Sequence, residues 1–193
     1  MEDFIKPVDP KILWRTLNIG GTVLVSSAAE GKSDVMAAGW NSVVDFDKAM
    51  VIIDKTHYTR PLMEKGEYFA LQLPLATIAP VVMNLGSVSK NDEPEKLEKS
   101  GAEFFAIPGF EALPLVKGCA AWLIFRRIPE PHNEQVYDMF IGQCVGAWSD
   151  TRVFANGHWH FETAGEDCRT LHYVSGGHFY KIGDPITVPG YDG

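Results

Sequence analysis

Residues 35–74 read "VMAAGWNSVVDFDKAMVIIDKTHYTRPLMEKGEYFALQLP", and this stretch decides the fold. Three runs in it, 35–44, 49–54 and 67–74, are rich in β-branched and aromatic residues and are bounded by turn chemistry, which predicts strands. The "DFDKA" between the first two is short enough for a hairpin turn. After the second run, "TRPLMEKG" (59–66) predicts a helix, with Thr59 as N-cap, an early proline, and Gly66 to stop it.

Outward from this stretch, strand patterns recur at 21–28, 118–128, 135–149 and 170–174. Short helices are expected at 77–86 and 94–101, the second solvated because charges surround it. Residues 150–169 carry no assignable pattern. No repeat or linker divides the chain, so one domain over 1–193 is expected. Many strands with small helical inserts point to a mainly β protein, a closed or partly closed antiparallel barrel.

The chemistry concentrates in "DKTHYTR" (54–60). A helix beginning near Thr59 would offer unpaired N–H groups and a dipole favourable to anions. Thr56 and Thr59 add hydroxyls, Lys55 and Arg60 add charge, and the Arg60 fork suits phosphate oxygens. The alternative is a solvated turn. Upstream, "AAGWNS" (37–42) lines up small residues along which a flat ligand could approach the backbone, with Asn41 and Ser42 ready to contact it. A core strand with a buried Trp40 is the other reading.

Composition sets limits. With 193 residues, 46% of them hydrophobic and 22% charged, the chain is an ordinary globular protein, and its net charge of −8 gives no basic surplus for nucleic acid. The longest apolar runs are too short to span a bilayer, and the N-terminus has no signal-peptide core. Cys119, Cys144 and Cys168 are odd in number and widely spaced, which fits a reducing, cytoplasmic setting rather than a disulfide framework.

The 35–74 block, followed by "CAAWLIFRRIPEPH", "YDMFIGQCVGAW" and "HYVSGGHFYKIGD", resembles the flavin-reductase-like FMN-binding split-barrel family, closest to its flavoredoxin group, over roughly 15–185. The resemblance implies a six-stranded split barrel, a homodimer with FMN near its interface, and electron transfer or flavin-dependent reduction carried by the flavin, with no catalytic side chain. It places Ala37, Ala38, Gly39, Trp40, Asn41 and Ser42 along the ring system and upper ribityl chain. Asp54, Lys55, Thr56, His57, Thr59 and Arg60 fall at the phosphate and ribityl hydroxyls, and the loop from Asn84 through Gly86 to Ser89 completes the pocket. Many NAD(P)H-dependent members carry G-D-H before the "IG" strand. Here Glu134, Gln135 and Asp138 stand instead, and two carboxylates would repel a pyrophosphate, so a redox protein is a possible donor.

Other features have competing readings. "GGHFYKIG" (176–183) could bring His178 or Tyr180 to the flavin rim or be a plain hairpin. "HWH" (158–160) could pair two imidazoles on a metal, which would make the protein a metal-dependent small-barrel enzyme. A non-catalytic flavin- or haem-binding module is a further alternative. The tryptophans at 14, 40, 122, 148 and 159 are expected in core or interface, with Trp40 at the ligand and Trp122, Phe125, Phe140 and Trp148 supplying a dimer surface.

Overall fold

The computed structural model describes residues 3–12, 16 and 21–190; Trp14 lies outside them. In chain order the first ten strands are β1 (Ile5–Val8), β2 (Val23–Ala29), β3 (Lys32–Ala38), β4 (Asn41–Asp45), β5 (Lys48–Ile52), β6 (Tyr68–Pro74), β7 (Phe104–Phe105), β8 (Leu115–Val116), β9 (Cys119–Ile128) and β10 (Met139–Asp150). One antiparallel sheet runs β3-β2-β6-β9-β10-β5-β4, with β1 also on β10; β7 and β8 pair apart from it. That sheet has eight strands where six were expected. The excess arises because β1 joins and because the run 35–44 divides at Gly39 and Trp40 into β3 and β4.

This division closes the fold. β3 and β4 are the two edges of the sheet, yet only two residues join them. A linker that short reaches about 10 Å at most, so the sheet must roll until its edges are neighbours. No ladder connects β3 to β4, and the barrel stays split there. Across the seam the Asn41 side-chain amide donates to the Gly21 carbonyl at 3.2 Å. The "DFDKA" turn is a hairpin as expected, with Asp45 opposite Lys48.

The central strands are buried on both faces. Val23 and Val25, Phe69, Leu71 and Leu73, and Leu123 and Phe125 point into the barrel. Their neighbours Leu24, Ala70, Trp122 and Ile124 pack outside, under the helices. This alternation explains why β2, β6 and β9 read as continuous apolar runs. Trp122, Phe125 and Phe140 are therefore core residues, not the dimer surface expected of them, and Trp148 is half-buried. Inside the barrel Phe69 stacks on Phe125 at 5.2 Å, and a Cβ on Gly142 would lie 2.6 Å from that of Phe125.

The helices are α1 (Thr59–Lys65), α2 (Ala79–Ser87), α3 (Lys96–Lys99), α4 (Pro131–Tyr137) and α5 (Phe161–Ala164). α4 takes the start of the run 135–149 that the pattern assigned to a strand. Pro131 opens it and Asp138, at φ 55°, ends it in the left-handed conformation before β10 begins. Residues 150–169 hold a small hairpin, β11 (Phe154–Ala155) and β12 (His158–Trp159), followed by α5. Elements of two to four residues are too short to carry a period. β13 (Leu171–Ser175) and β14 (His178–Lys181) form the final hairpin, turned by Gly176 and Gly177 at φ 57° and 80°.

Candidate functional site

The segment 54–60 links β5 to α1, and its two ends meet different surroundings. Arg60 is 3% exposed. Its guanidinium donates to Glu64 Oε1 (2.8 Å), the Ile53 carbonyl (2.8 Å), Asp138 Oδ1 (2.6 Å) and the Glu134 carbonyl (2.6 Å). Burial alone would lower its pKa, but the hydrogen bonds it donates to Glu64 and Asp138, with their charges, outweigh that and raise it. Glu134, itself buried, accepts from Arg127 at 2.9 Å. Arg60 thus holds α1, α4 and the end of β5 together, and its guanidinium faces protein acceptors rather than the phosphate position expected of it. The carboxylates of Glu134 and Asp138, expected to repel a dinucleotide, are each spent on an arginine.

One residue earlier the chain faces a cavity. Thr59 is not the N-cap, which falls on Tyr58 with no side-chain cap bond. Its hydroxyl donates instead to Asp34 Oδ2 at 2.7 Å. Asp34 and Lys96 are 1% and 2% exposed, a buried ion pair with Nζ 3.2 Å from Oδ1 and 3.4 Å from Oδ2. The Lys96 contact with Oδ1 is one of charge, and only the contact with Oδ2 has hydrogen-bond geometry. Directly across the β2–β3 ladder, the buried Ser27 hydroxyl also lacks a partner. Burial pulls the Lys96 ammonium below its usual range, against the attraction of Asp34. Its position corrects the reading of 94–101 as a solvated helix. Asp34, Thr59 and Lys96, with Met36, His57, Tyr58, the end of α2 from Leu85 and the Val88 and Ser89 that follow it, line a cavity of about 160 Å3.

A second cavity, about 210 Å3, shares Gly86 and Ser87 with the first. Its walls are apolar: Ala37, Ala38 and Gly39 from β3 and its end, Val82 and Met83 from α2, and Tyr173 and Phe179 from the last hairpin. The wall between α2 and β3 is tight, since a Cβ on Gly86 would meet the Ala37 Cβ at 2.8 Å.

The residues singled out in the sequence divide accordingly. Ala38, Gly39, Gly86, His57, Thr59 and Ser89 line one or other cavity. Trp40 stands 75% exposed beyond them. Asn41 spans the seam, and the exposed Ser42 bonds the Val43 carbonyl. Asp54 accepts from the Thr56 amide and hydroxyl, which hold its carboxyl below the usual range, while Lys55 donates to the Gln135 carbonyl at 2.7 Å. Asn84 turns away to the Ser100 carbonyl. His178 and Tyr180 are exposed, and their alternate-phase neighbour Phe179 lines the cavity instead. Sequence reasoning missed Asp34 and Lys96. A carboxylate in phase with the inward Met36 and Ala38 was the available signal for the first; nothing in the pattern of 94–101 marked the second.

Elsewhere the sites are closed. A further cavity, about 410 Å3, is rimmed by charges already paired, Arg152 with Asp150 and Lys117 with Glu103, and no orphaned buried polar atom of the described residues lines it. Among the described residues no three metal-ligating side chains converge; His158 is exposed on β12 and His160 begins α5. Burial pushes the Cys119 thiol well up and that of Cys144 up to about 12, so neither is a thiolate nucleophile.

Residues 16–179 match the family described as flavin reductase like domain. The chain is similar over 97% of its length to an FMN-binding domain of a flavin reductases-like enzyme from Shewanella baltica, at 43% identity, TM-score 0.93 and 99% coverage of that chain. It is 34% identical to the uncharacterized protein YddH of Escherichia coli, covering 97% of this chain and all of that one. A flavoredoxin from Methanosarcina acetivorans shares the fold at 23% identity and TM-score 0.67, with 89% of each chain covered.

Proposed function

The chain belongs to the flavin reductase like domain family, and we propose that it binds FMN across the two adjoining cavities, with the phosphate end in the polar one. The observation that carries this reading is the pairing itself. A polar cavity with a buried ammonium and an acceptor lacking a hydrogen bond abuts an apolar cavity walled by small and aromatic residues. One amphipathic ligand with an anionic end and a flat apolar end suits both. Lys96, His57, Thr59 and the 87–89 turn hold the phosphate, Ala37 to Gly39 lie along the ring system, and Tyr173 and Phe179 shield it from water. Bound there, the flavin supplies the hydride or electron chemistry, and the protein supplies orientation and exclusion of solvent.

Among the described residues no helix is long and apolar enough to cross a membrane. The edge strand β4 presents Val44, 52% exposed, between Trp40 and Phe46, which supports a second copy of the chain as its cover. Light scattering giving a mass near the 21.4 kDa of one chain would refute the homodimer. A redox protein is the donor we expect; reduction of the bound flavin by NADH or NADPH alone at more than about 10 per second, a typical turnover, would make it unnecessary. The cofactor reading is tested by releasing the bound flavin with heat and identifying it by chromatography. FMN is expected, because no G-x-G-x-x-G that would hold a pyrophosphate occurs in the chain. FAD as the main species would overturn it.

A further inference from the structure

We infer that Asp34 makes flavin phosphate binding proton-coupled: the polar cavity takes the phosphate together with one proton, which lies between a phosphate oxygen and Asp34. The inference rests on the FMN reading above and goes beyond it to the charge state the site selects.

The argument is one of charge and of unused acceptors. Groups that face Asp34 come from each element packed on it. Lys96 comes from α3, Thr59 from the first residue of α1, Tyr58 and His57 from just before it, and the uncharged Ser27 from β2, while Lys90, in the loop before α3, lies near enough for its charge to act on Lys96. Lys90 donates to the Ser33 carbonyl at 3.0 Å, which pins its ammonium beside the pocket. Lys96 and Asp34 cancel, and the Lys90 ammonium beside them leaves a single positive charge. A phosphate monoester carries about two negative charges above pH 7, its second ionisation lying near 6. A dianion would therefore leave the pocket negative, with phosphate and carboxylate oxygens repelling one another in a buried space. One proton removes the surplus and turns the repulsion into a hydrogen bond. Asp34 Oδ1 meets only the Lys96 ammonium, at 3.2 Å, and a carboxylate oxygen with one such contact keeps a lone pair for a further bond. The Thr59 hydroxyl, already directed at Oδ2, keeps that other oxygen occupied. No bond other than the O–H is made or broken, and solvent supplies the proton.

The test is calorimetric titration of apoprotein with FMN between pH 6 and 8.5, in buffers of different ionisation enthalpy, which counts protons directly. Uptake close to one proton is expected at pH 8, with the dissociation constant rising nearly tenfold per pH unit above about pH 7. Riboflavin, which lacks the phosphate, is expected to bind without uptake. Asp34→Asn is expected to abolish most of the uptake and to bind FMN at least tenfold more tightly than the parent at pH 8; Asp34→Ser serves if the first variant does not fold. His57→Gln is expected to retain the uptake. Absence of uptake in the parent protein, its persistence in the Asp34 variants, or its loss in His57→Gln would each overturn the inference. Failure of the FMN reading has a different signature: riboflavin would bind as tightly as FMN, and inorganic phosphate would not compete.

Discussion

Two buried ion-pair systems lie on either side of one peptide bond, and they are finished to different degrees. Arg60 donates four hydrogen bonds to acceptors on three elements. Beside it Thr59 reaches Asp34, whose Oδ1 has charge contact with Lys96 and no hydrogen bond, across from a Ser27 hydroxyl with no partner. Native proteins leave few buried polar atoms unsatisfied, because each costs on the order of 1–3 kcal/mol. The four bonds of Arg60 are explained by the fold alone, although Arg127, next in its network, keeps one buried N–H without a partner. The other system opens on a cavity through Asp34, Thr59 and Lys96, where a ligand would meet it.

The comparison can be broken at its strongest point first. Arg60→Ala is expected to destabilise the apoprotein by about 3–5 kcal/mol, the usual result of removing one member of a buried ionic network. Urea unfolding measures it. If that variant instead folds normally and loses FMN affinity, Arg60 belongs to the site and the contrast fails. Lys96→Met should do the reverse in emphasis, weakening FMN binding by about 2–3 kcal/mol, the scale of charge-assisted hydrogen bonds. Fluorescence titration with FMN checks this, and an unchanged dissociation constant would make the Asp34–Lys96 pair a structural one like its neighbour.

Smaller effects sharpen the picture. Ser27→Ala removes a hydroxyl that bonds nothing, so apoprotein stability should hold or rise by up to about 1 kcal/mol. A loss of stability would mean that the hydroxyl serves the fold. The smallest effect is one of pH. Burial holds the Lys96 pKa below 10.5, so the unfolded chain binds the proton more firmly than the folded one. The folded state is then penalised at low and neutral pH, and the penalty fades as pH climbs through the lowered pKa toward 10.5. Relative to Lys96→Met, the parent apoprotein should gain stability over that alkaline window, in urea melts at a series of pH values.

The barrel was legible because its strands are buried on two faces and read as apolar runs that no solvated element would carry. The seam was not, since a continuous β pattern over 35–44 hides the change of edge at Gly39 and Trp40. The site was half-legible. Small residues at 37–39 and the hydroxyls and imidazole of 57–59 announced a ligand, and they do line the cavities. Arg60 misled because composition cannot show whether its fork meets water or acceptors more than seventy positions away. In the last hairpin the choice fell on His178 and Tyr180, one position out of phase with Phe179. Lys96 was out of reach: its partner is sixty-two positions distant and its helix is four residues long.

The two-residue seam also constrains how the chain can fold. The β2–β3 and β4–β5 hairpins are local and each can form within microseconds, yet they finish at opposite edges of the sheet. Strands β6, β9 and β10 must enter between them, and the pairing of β10 with β5 spans some ninety residues. Contacts of that sequence separation slow folding, so the two local hairpins are expected to form before the strands that finally separate them, with Gly39 and Trp40 as their only covalent link. Severing the backbone between them would leave every rung of the ladder in place. It would remove only the tether that obliges the sheet to roll, and so would separate the curvature the strands prefer from the curvature the chain imposes.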